Sequence, residues 1–386
     1  MRVTMMLRCL GMMRGGGETR HLAWIHELEA MGVDVEVITG GPLFGEMRYP
    51  ITDIGCSDTT VIRSPYMRDL VYKTQGRRGL GRLGVAMLHT DEEWFCKMAW
   101  HHIASTSARR RPDIVHAHAL HQAARLKTVD VPVAVNLPGE PNPRYIDDLK
   151  KADVLLSDGW GARRFPDILG QPVENITKGV DSVLFSPDGP SVRAAIGSGD
   201  APVVLCVSRL VPIKNVALFV DAMAVVHRAR PDVRAVIVGD GPLEAALKQK
   251  AAGLGLGDVI RFAGYVTQQD LPPWYRAADV FVLSSDFDNS PNVVLEAIAS
   301  GLPVVATDVG GVADYVDAPA GGALVARGDA AAMGREILAL LADDSRRHEA
   351  GAFNRLRATT KFSWRTSAEQ LLAAYERALS ARGRAA

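Results

Sequence analysis

The chain has 386 residues, of which 44 are Lys or Arg, 44 are Asp or Glu, and 47% are hydrophobic. This length is more than one ordinary hydrophobic core uses, so we expect two domains. The balanced charge provides no global field that would attract nucleic acid. A site for an anion would therefore have to be built locally.

The four cysteines and the hydropathy pattern indicate a cytoplasmic protein. The cysteines are scattered without CxxC spacing, at Cys9, Cys56, Cys96 and Cys206, which favours reduced thiols. No apolar run reaches the roughly 18 residues of a membrane-spanning helix. The first residues, MRVTMML, enter a predicted strand at once and lack a small-residue cleavage site, which argues against a signal peptide.

The first part of the chain predicts a strand, a glycine loop, a helix and a second strand. These are VTMML, Gly15-Gly16-Gly17, HLAWIHELEAMG and VDVEVIT. The dinucleotide fingerprint GxGxxG is absent. Three consecutive glycines let the backbone approach a ligand closely, although a simple tight turn would use them too.

Residues 63–100 show no regular periodicity. The stretch is basic and then aromatic, with Arg63, Arg68, Lys73, Arg77, Arg78 and Arg82 followed by Trp94, Phe95 and Trp100. One interpretation is a surface for an anionic acceptor or for peripheral contact with membrane lipid. The other is a solvated loop and helix face.

Polar residues follow the next two predicted strands. PDIVHAHAL ends in His116 and His118, and VPVAVNL breaks at Pro138-Gly139-Glu140. A metal site here would need further ligands and supporting groups that the sequence does not show. We expect polar strand ends instead. After two short strands, ADVLLSDGW and VENITKGV, the Pro- and Gly-containing stretch KGVDSVLFSPDGP predicts an interdomain linker.

The second half repeats the alternation of strands and helices. APVVLCVSRL carries Arg209 at its end, Lys214 lies in the following turn, and a helix is expected from Asn215 to about Ala229. The strands VRAVIVGDGP and IRFAGYV come next. The loops that follow these two strands and the strand APVVLCVSRL should line one crevice at a sheet edge. Two cations there can each make charge-assisted bonds to a diphosphate.

Residues 279–315 predict a strand, a turn, a helix, a strand and a Gly310-Gly311 pair. Ser290 is the expected N-cap and Pro291 the first helical residue. The helix N-terminus at the carboxyl edge of a parallel sheet suits a phosphate. Asp288 and Glu296 would bracket a bound group; a cap and a solvated helix Glu remain the alternative. The tail FSWRTSAEQLLAAYERALS predicts an amphipathic helix.

Together these segments resemble glycosyltransferase family 4. The resemblance rests on SRLVPIKN, GDGPLEAAL, FAGYV, DNSPNVVLEAIASGLPVVATDVGG, GVDSVLF and GGGET. It is strong over 202–316 and weak over 45–110. It implies an α/β protein of the GT-B fold, with two Rossmann-like domains facing across an interdomain cleft. Residues 1–178, completed by a C-terminal helix over 364–386, would bind the acceptor, and residues 179–363 the donor.

The resemblance also implies an activity. The protein would be a retaining, metal-independent, hexosyltransferase-type enzyme without a cofactor. It would move a sugar from a UDP- or GDP-linked donor to a hydroxyl of a small-molecule, glycan or lipid-linked acceptor. The nucleoside, the sugar, the acceptor and the oligomeric state stay open.

Individual residues receive roles through the same resemblance. Arg209 and Lys214 would bind the diphosphate, Asp288 would face the sugar, and Glu296 would face the ribose hydroxyls. Val266 would offer backbone groups to the nucleobase, and the amides of Asn292 and Val293 would meet phosphate. The remaining donor-binding candidates are Gly16, Gly17, Gly241 and Ser290.

Two residues depart from the family pattern. Asp288 is one methylene shorter than the usual Glu, and Pro138 stands where many members have a histidine. The candidates for the missing polar contact are His118, Asn136 and Glu140. In the front-side mechanism usually proposed for the family, the departing diphosphate takes the acceptor's proton, so a separate base is not obligatory.

Three alternatives remain at this point. Pro138 is compatible with a catalytically impaired binding protein on the same fold. An NAD-dependent oxidoreductase is disfavoured because neither half carries GxGxxG with a ribose-binding acid about 20 residues on. Asp286-Phe287-Asp288 reads as a DxD metal motif, but a helix N-terminus and two cations would already neutralise a diphosphate.

Overall fold

A computed structural model of the chain describes residues 1–10, 12, 16–42, 46, 47, 51–64 and 80–383. The chain divides into two compact units. Unit 1 comprises Met1–Thr177 and Ser367–Ala386, and unit 2 comprises Lys178–Thr366. The boundary expected at 178–179 lies one residue from this division. None of the helices described is both long and apolar enough to cross a bilayer.

Unit 1 is built on a parallel sheet in the order β3-β2-β1-β4-β5-β6-β7. Its strands are β1 (Arg2–Leu7), β2 (Asp34–Pro42), β3 (Asp58–Ser64), β4 (Ile114–His118), β5 (Val133–Asn136), β6 (Val154–Ser157) and β7 (Glu174–Asn175). The connecting helices are α1 (Gly16–Ala30), α2 (Leu80–Ser105), α3 (Ile146–Leu149) and α4 (Gly159–Leu169). Strands β4 and β5 are almost wholly buried, as expected for a parallel sheet covered on both faces.

Unit 2 repeats this design with a parallel sheet in the order β10-β9-β8-β11-β12-β13. Its strands are β8 (Val203–Val207), β9 (Arg234–Val238), β10 (Ile260–Gly264), β11 (Val280–Leu283), β12 (Val304–Thr307) and β13 (Gly322–Val325). Its helices are α5 (Val216–Ala229), α6 (Glu244–Gly253), α7 (Pro272–Tyr275), α8 (Asn292–Ala299), α9 (Ala330–Ala342) and α10 (Asp344–Thr360). The last helix, α11 (Trp364–Gly383), lies mostly in unit 1.

Both sheets have one point where the strand order reverses. In unit 1, β1 pairs with β2 on one side and β4 on the other. In unit 2, β8 pairs with β9 and β11. In open parallel sheets, ligands bind outside the carboxyl ends of the strands at this switch point, because the loops on the two sides diverge there. The topology therefore marks one candidate position in each unit.

The second half of the stretch 63–100 is more regular than its sequence indicated. Helix α2 covers Leu80–Ser105. Phe95 and Trp100 are fully buried in the core of unit 1 beside strand residues such as Val115 and Val133. These two aromatic side chains are therefore core residues and not part of a membrane-facing surface.

The predicted linker is also part of a core. Val180 and Phe185 lie in the hydrophobic core of unit 2 with Phe281 and Phe362. The backbone N–H of Val180 donates to the carbonyl of Phe362 at 2.8 Å. The stretch therefore begins at the boundary between the two units, as an interdomain linker should, and it packs into the core of unit 2.

Candidate functional site

The switch point of unit 2 carries an ion pair between two of the predicted site residues. Lys214 lies in the turn after β8, and Asp288 lies in the loop after β11. The Nζ of Lys214 donates to Oδ2 of Asp288, and both side chains are largely buried, with 18% and 13% of their surface exposed. In this position the cation can bind a phosphate, and the carboxylate can accept a hydrogen bond from a sugar hydroxyl.

Helix α8 starts one residue later than expected. Its N-cap is Pro291, which makes no side-chain capping bond, and its first residue is Asn292. The first amides of a helix have no partner within it, so those of Asn292 and Val293 are available to an anion. Ser290 is not the cap: its hydroxyl lies 2.8 Å from the hydroxyl of Tyr315.

The loop before α8 is held by its neighbours. The N–H of Gly311 donates to the carbonyl of Asp288 at 2.9 Å. A Cβ on Gly310, whose φ is 54°, would overlap that same carbonyl. Lys178 donates from Nζ to the carbonyl of Ser290 at 3.0 Å. The Gly310-Gly311 pair therefore packs against the Asp288 loop, a role that the glycine pattern alone did not specify.

Glu296 is a buried carboxylate and not a solvated helix residue. Only 5% of it is exposed. Its Oε2 accepts from the hydroxyl of Tyr275 at 2.8 Å, and its Oε1 accepts from Nε2 of Gln268 at 3.4 Å. Burial raises the pKa of Glu296, while the bonds from Tyr275 and Gln268 and the charge of Lys178 oppose that rise. Such a carboxylate is pre-positioned to accept bonds from hydroxyl groups.

The loops after β8, β9 and β10 are bonded to one another. The N–H of Leu210 donates to the carbonyl of Asp240 at 2.7 Å, and that of Gly239 donates to the carbonyl of Gly264 at 2.7 Å. Gly241 has φ 153°, and a Cβ there would lie 2.5 Å from the carbonyl oxygen of Leu210. These contacts bring the predicted loops to one edge, as the sequence indicated.

Two further predicted residues lie on these loops. Arg209, next to Leu210, is exposed and forms no ion pair within the described part of the chain. Val266 follows β10 and packs partly buried against the core of unit 2. Arg209 is thus available to a ligand.

The two aspartates of the DxD sequence point to different partners. Oδ1 of Asp286 accepts from Nδ2 of Asn215 at 2.9 Å and pairs with Nε of Arg327 at 3.1 Å. The bond from Arg327 is the main cause of a lowered pKa of Asp286. Asp288 pairs instead with Lys214. Across the residues described, no group of three or more His, Cys, Asp and Glu side chains is arranged to hold a metal ion.

The switch point of unit 1 brings together the glycine loop and the end of β4. A Cβ on Gly17 would lie 2.7 Å from Nε2 of His118. Nδ1 of His118 lies 3.0 Å from Oδ1 of Asn136, so this nitrogen donates to the amide oxygen. Gly16 and Gly17 open α1, whereas Gly15 lies outside the described residues. The close approach that the glycines permit at Gly17 is an approach to His118.

A cavity of about 200 Å³ opens at this edge of unit 1. Among the residues that line it are Arg8, Glu18, Glu92, His118 and Pro138. Sequence reasoning missed Arg8, which is buried and pairs with Asp91, because a lone Arg after a strand carries no pattern. Pro138 lines the same cavity as His118.

Glu140 does not join this group. Its side chain is 62% exposed, lies 3.9 Å from Nη2 of Arg164 and is not among the residues lining the cavity. Of the three candidates for the missing polar contact, the structure brings His118 and Asn136 together and leaves Glu140 apart.

A larger cavity of about 610 Å³ lies beside α2. Its lining includes Trp94, Lys97, Arg125, Arg144 and Tyr145. Trp94 is 39% exposed, so it is the one of the three predicted aromatic residues that a ligand can reach. Arg63 donates to the carbonyl of Pro42 at 3.1 Å. Arg68, Lys73, Arg77, Arg78 and the side chain of Arg82 lie outside the described residues.

Comparison with known sequences points to one class of enzyme. The family described as "Glycosyl transferases group 1" matches residues 201–343. A D-inositol 3-phosphate glycosyltransferase of Saccharomonospora viridis is 33% identical over 301 residues, which are 71% of this chain and 67% of that protein. A GDP-mannose-dependent phosphatidylinositol monomannoside mannosyltransferase of Mycolicibacterium smegmatis is 35% identical over 52% of this chain. This chain spans 55% of that relative.

Comparison with solved structures agrees on the fold. HepE of Anabaena, in complex with UDP, superposes with a TM-score of 0.72 at 19% identity. The superposition covers 97% of this chain and 99% of HepE. Both parallel-sheet units therefore have the architecture of a known class of two-domain α/β proteins.

Proposed function

Because this chain belongs to the glycosyltransferases of the GT-B fold, we propose that it transfers a sugar from a nucleoside diphosphate sugar to an acceptor hydroxyl. The observation that carries the proposal is the paired Lys214 and Asp288 at the switch point of unit 2. The start of α8 and the loops after β8 and β9 complete the position where such a fold binds its ligand.

Unit 2 supplies what a departing diphosphate needs. Lys214 and Arg209 offer positive charge, and the first amides of α8 offer N–H donors and the positive end of a helix dipole. Groups held in place before reaction stabilise developing negative charge without reorganisation. Glu296 would accept bonds from the ribose hydroxyls, Asp288 would face the sugar, and Val266 would meet the base. Gly241 and Ser290 complete the donor-binding set.

The donor is UDP- or GDP-linked in this proposal. The Mycolicibacterium relative is named for GDP-mannose, and the solved HepE structure contains UDP. We propose further that transfer retains the anomeric configuration and needs no metal. The bond from C1 to the diphosphate oxygen breaks, the bond from C1 to the acceptor oxygen forms on the same face, and the acceptor's proton passes to the diphosphate.

Unit 1 would bind the acceptor. The cavity beside His118 and Pro138 offers Arg8, Glu18 and Glu92 as polar groups. Gly16 and Gly17 would contribute backbone to substrate binding at this edge. If the departing diphosphate takes the acceptor's proton, the reaction needs no histidine at position 138. Proline at this position is therefore compatible with activity.

The test is a transfer assay with a panel of UDP- and GDP-sugars on the double variant Arg209→Ala, Lys214→Ala. Removing even one such donor group from an active site commonly costs about 10²- to 10³-fold in rate, so we expect at least that loss. The control is Lys248→Ala, which removes another ion-paired lysine of unit 2, bonded to Glu244 at 2.7 Å. Unchanged transfer by the double variant would contradict the proposal.

The stereochemistry and the rivals are tested in the same assay. NMR of the product should show the donor's anomeric configuration, and chelation of divalent cations should leave the rate unchanged. An impaired binding protein would bind nucleotide without transfer or slow donor hydrolysis. An oxidoreductase would instead respond to a nicotinamide dinucleotide in a fluorescence titration.

A further inference from the structure

A chain of hydrogen bonds links the C-terminal helix to Gly17 at the start of α1, inside unit 1. The hydroxyl of Tyr375 on α11 lies 2.7 Å from Nδ1 of His116 on β4. Nε2 of His116 lies 3.0 Å from Nε2 of His21 on α1, and Nδ1 of His21 lies 2.7 Å from the carbonyl oxygen of Gly17. All three side chains are at most 1% exposed.

The direction of these bonds follows from the last acceptor. A carbonyl oxygen can only accept, so Nδ1 of His21 must carry the hydrogen. In a neutral imidazole the other nitrogen then accepts, so Nε2 of His116 must donate to it. Nδ1 of His116 is consequently the acceptor for the hydroxyl of Tyr375. One arrangement of protons therefore satisfies every member.

Burial keeps the members in the required protonation states. It lowers the pKa of His116 to about 3, and it lowers the pKa of His21 well below its usual value, with the neighbouring histidines adding to the effect. Burial also raises the pKa of Tyr375. Both imidazoles are thus neutral and the phenol protonated at neutral pH.

The last member of the hydrogen-bond chain, Gly17, is tightly packed. Gly17 is held at its carbonyl by His21, and its Cα faces Nε2 of His118, where a Cβ would lie 2.7 Å away. The rings of His21 and His118 are themselves in contact, with centroids 4.2 Å apart. The histidines therefore fix the backbone at the start of α1 from two sides.

We propose that Tyr375 is a positioning residue, which sets the backbone at Gly17, at the start of α1, through His116 and His21. This inference rests on the proposed function, because it assumes that this backbone contacts substrate. Positioning matters since a displacement of about 1 Å can cost about 10²-fold in rate. The C-terminal helix would then control the backbone geometry at the start of α1, more than 350 residues earlier in the chain.

The first measurement is ¹⁵N NMR of histidine-labelled protein at pH 7, with resonances assigned from His21→Gln and His116→Gln variants. We expect His21 in the Nδ1–H tautomer and His116 in the Nε2–H tautomer. The Nε2–H tautomer of His21, or a doubly protonated ring in either residue, would contradict the proposed chain of hydrogen bonds. This result does not depend on an activity assay.

The second measurement compares Tyr375→Phe with Ser367→Ala. Ser367 is also a buried hydroxyl on α11, and it accepts from Nε1 of Trp24 at 2.8 Å and donates to the carbonyl of Thr177. Tyr375→Phe should lower kcat/KM roughly tenfold and speed hydrogen exchange at the backbone amide of His21, which in a helix donates to the carbonyl of Gly17. Ser367→Ala should leave kcat/KM within about twofold, whatever its effect on Tm.

The outcomes separate the two proposals. Equal effects of both variants on kcat/KM would overturn the positioning role. A wild-type protein that transfers no sugar would overturn the proposed function. The tautomers and the exchange rate of the His21 amide would still test the hydrogen-bond chain.

Discussion

At the switch point of unit 2, β8 and β11 lead to a lysine, an aspartate and the start of a helix, whereas in unit 1, β1 and β4 lead to glycines and histidines. The two sheets share the same strand order around this point. The first position sets a lysine beside an aspartate and a helix start, and the second packs histidine rings against backbone beside a cavity lined by Arg8, Glu18 and Glu92. The strand order thus fixes the position of each candidate site. The side chains at that position determine whether it can bind an anion or instead holds the backbone in place.

The packing in unit 1 is tested most strongly by Gly17→Ala. The added methyl would lie 2.7 Å from Nε2 of His118, so the start of α1 or the His118 ring must move. If the loop contacts substrate, we expect transfer to fall by about 10²-fold. The control is Gly253→Ala at the end of α6, where a Cβ meets nothing within 4 Å and activity should not change. Normal transfer by Gly17→Ala would show that this packing is not coupled to the reaction.

The charge in unit 2 is tested by Glu296→Gln. The amide keeps the shape but loses the charge that strengthens bonds from hydroxyl groups, so donor affinity should fall about tenfold. The affinity is measured by titration with the donor nucleotide. Tyr275→Phe, which removes one bond to the same carboxylate, should have a smaller effect.

The pH dependence of stability tests the burial of Glu296 in a second way. Burial raises its pKa in the folded chain, so the folded chain binds this proton more tightly than the unfolded chain. The stability from this group is full below the ordinary Glu pKa of about 4.3 and is lost as the pH rises through the folded pKa. The Tm of Glu296→Gln minus that of the wild type should therefore grow as the pH rises above about 4.3. A difference in Tm that stays constant as the pH rises would contradict this assignment.

The smallest effect is expected at Glu140. Its side chain is 62% exposed and 3.9 Å from Arg164, so Glu140→Gln should change transfer by less than about twofold. Glu92→Gln is the matched comparison, because Glu92 lines the cavity with His118 and should matter more. A large loss at Glu140 would mean that it, and not His118 or Asn136, supplies the polar contact missing at Pro138.

Much of the fold could be read from the sequence, because buried parallel strands leave continuous apolar runs such as VVLCV in β8. The places where prediction failed have specific causes. Helix α2 was obscured by its mixed basic and aromatic residues, whose buried members Phe95 and Trp100 are distinguishable only once the core is known. The stretch containing Val180 and Phe185 begins at the boundary between the units, but its prolines and glycines do not reveal that these two residues join a core.

The candidate site was predictable in part for similar reasons. Lys214 and Asp288 stood out by charge next to predicted strand ends, and the structure pairs them. Tyr275 and Gln268, which bond Glu296, lie more than 20 residues from it in the chain and carry no motif. The bond from Tyr375 to His116 joins residues that are far apart in sequence, so only the tertiary structure could reveal it.

The most direct test of the central claim is calorimetric titration of UDP and GDP, with the parent nucleosides, into the wild type and into Arg209→Ala, Lys214→Ala. The account predicts that one nucleoside diphosphate binds the wild type and raises its Tm, as any ligand of the folded state does. Its nucleoside should bind far more weakly, and the double variant should lose most of the difference. Equal binding of the diphosphate by both proteins would contradict the assignment of these two cations to the donor.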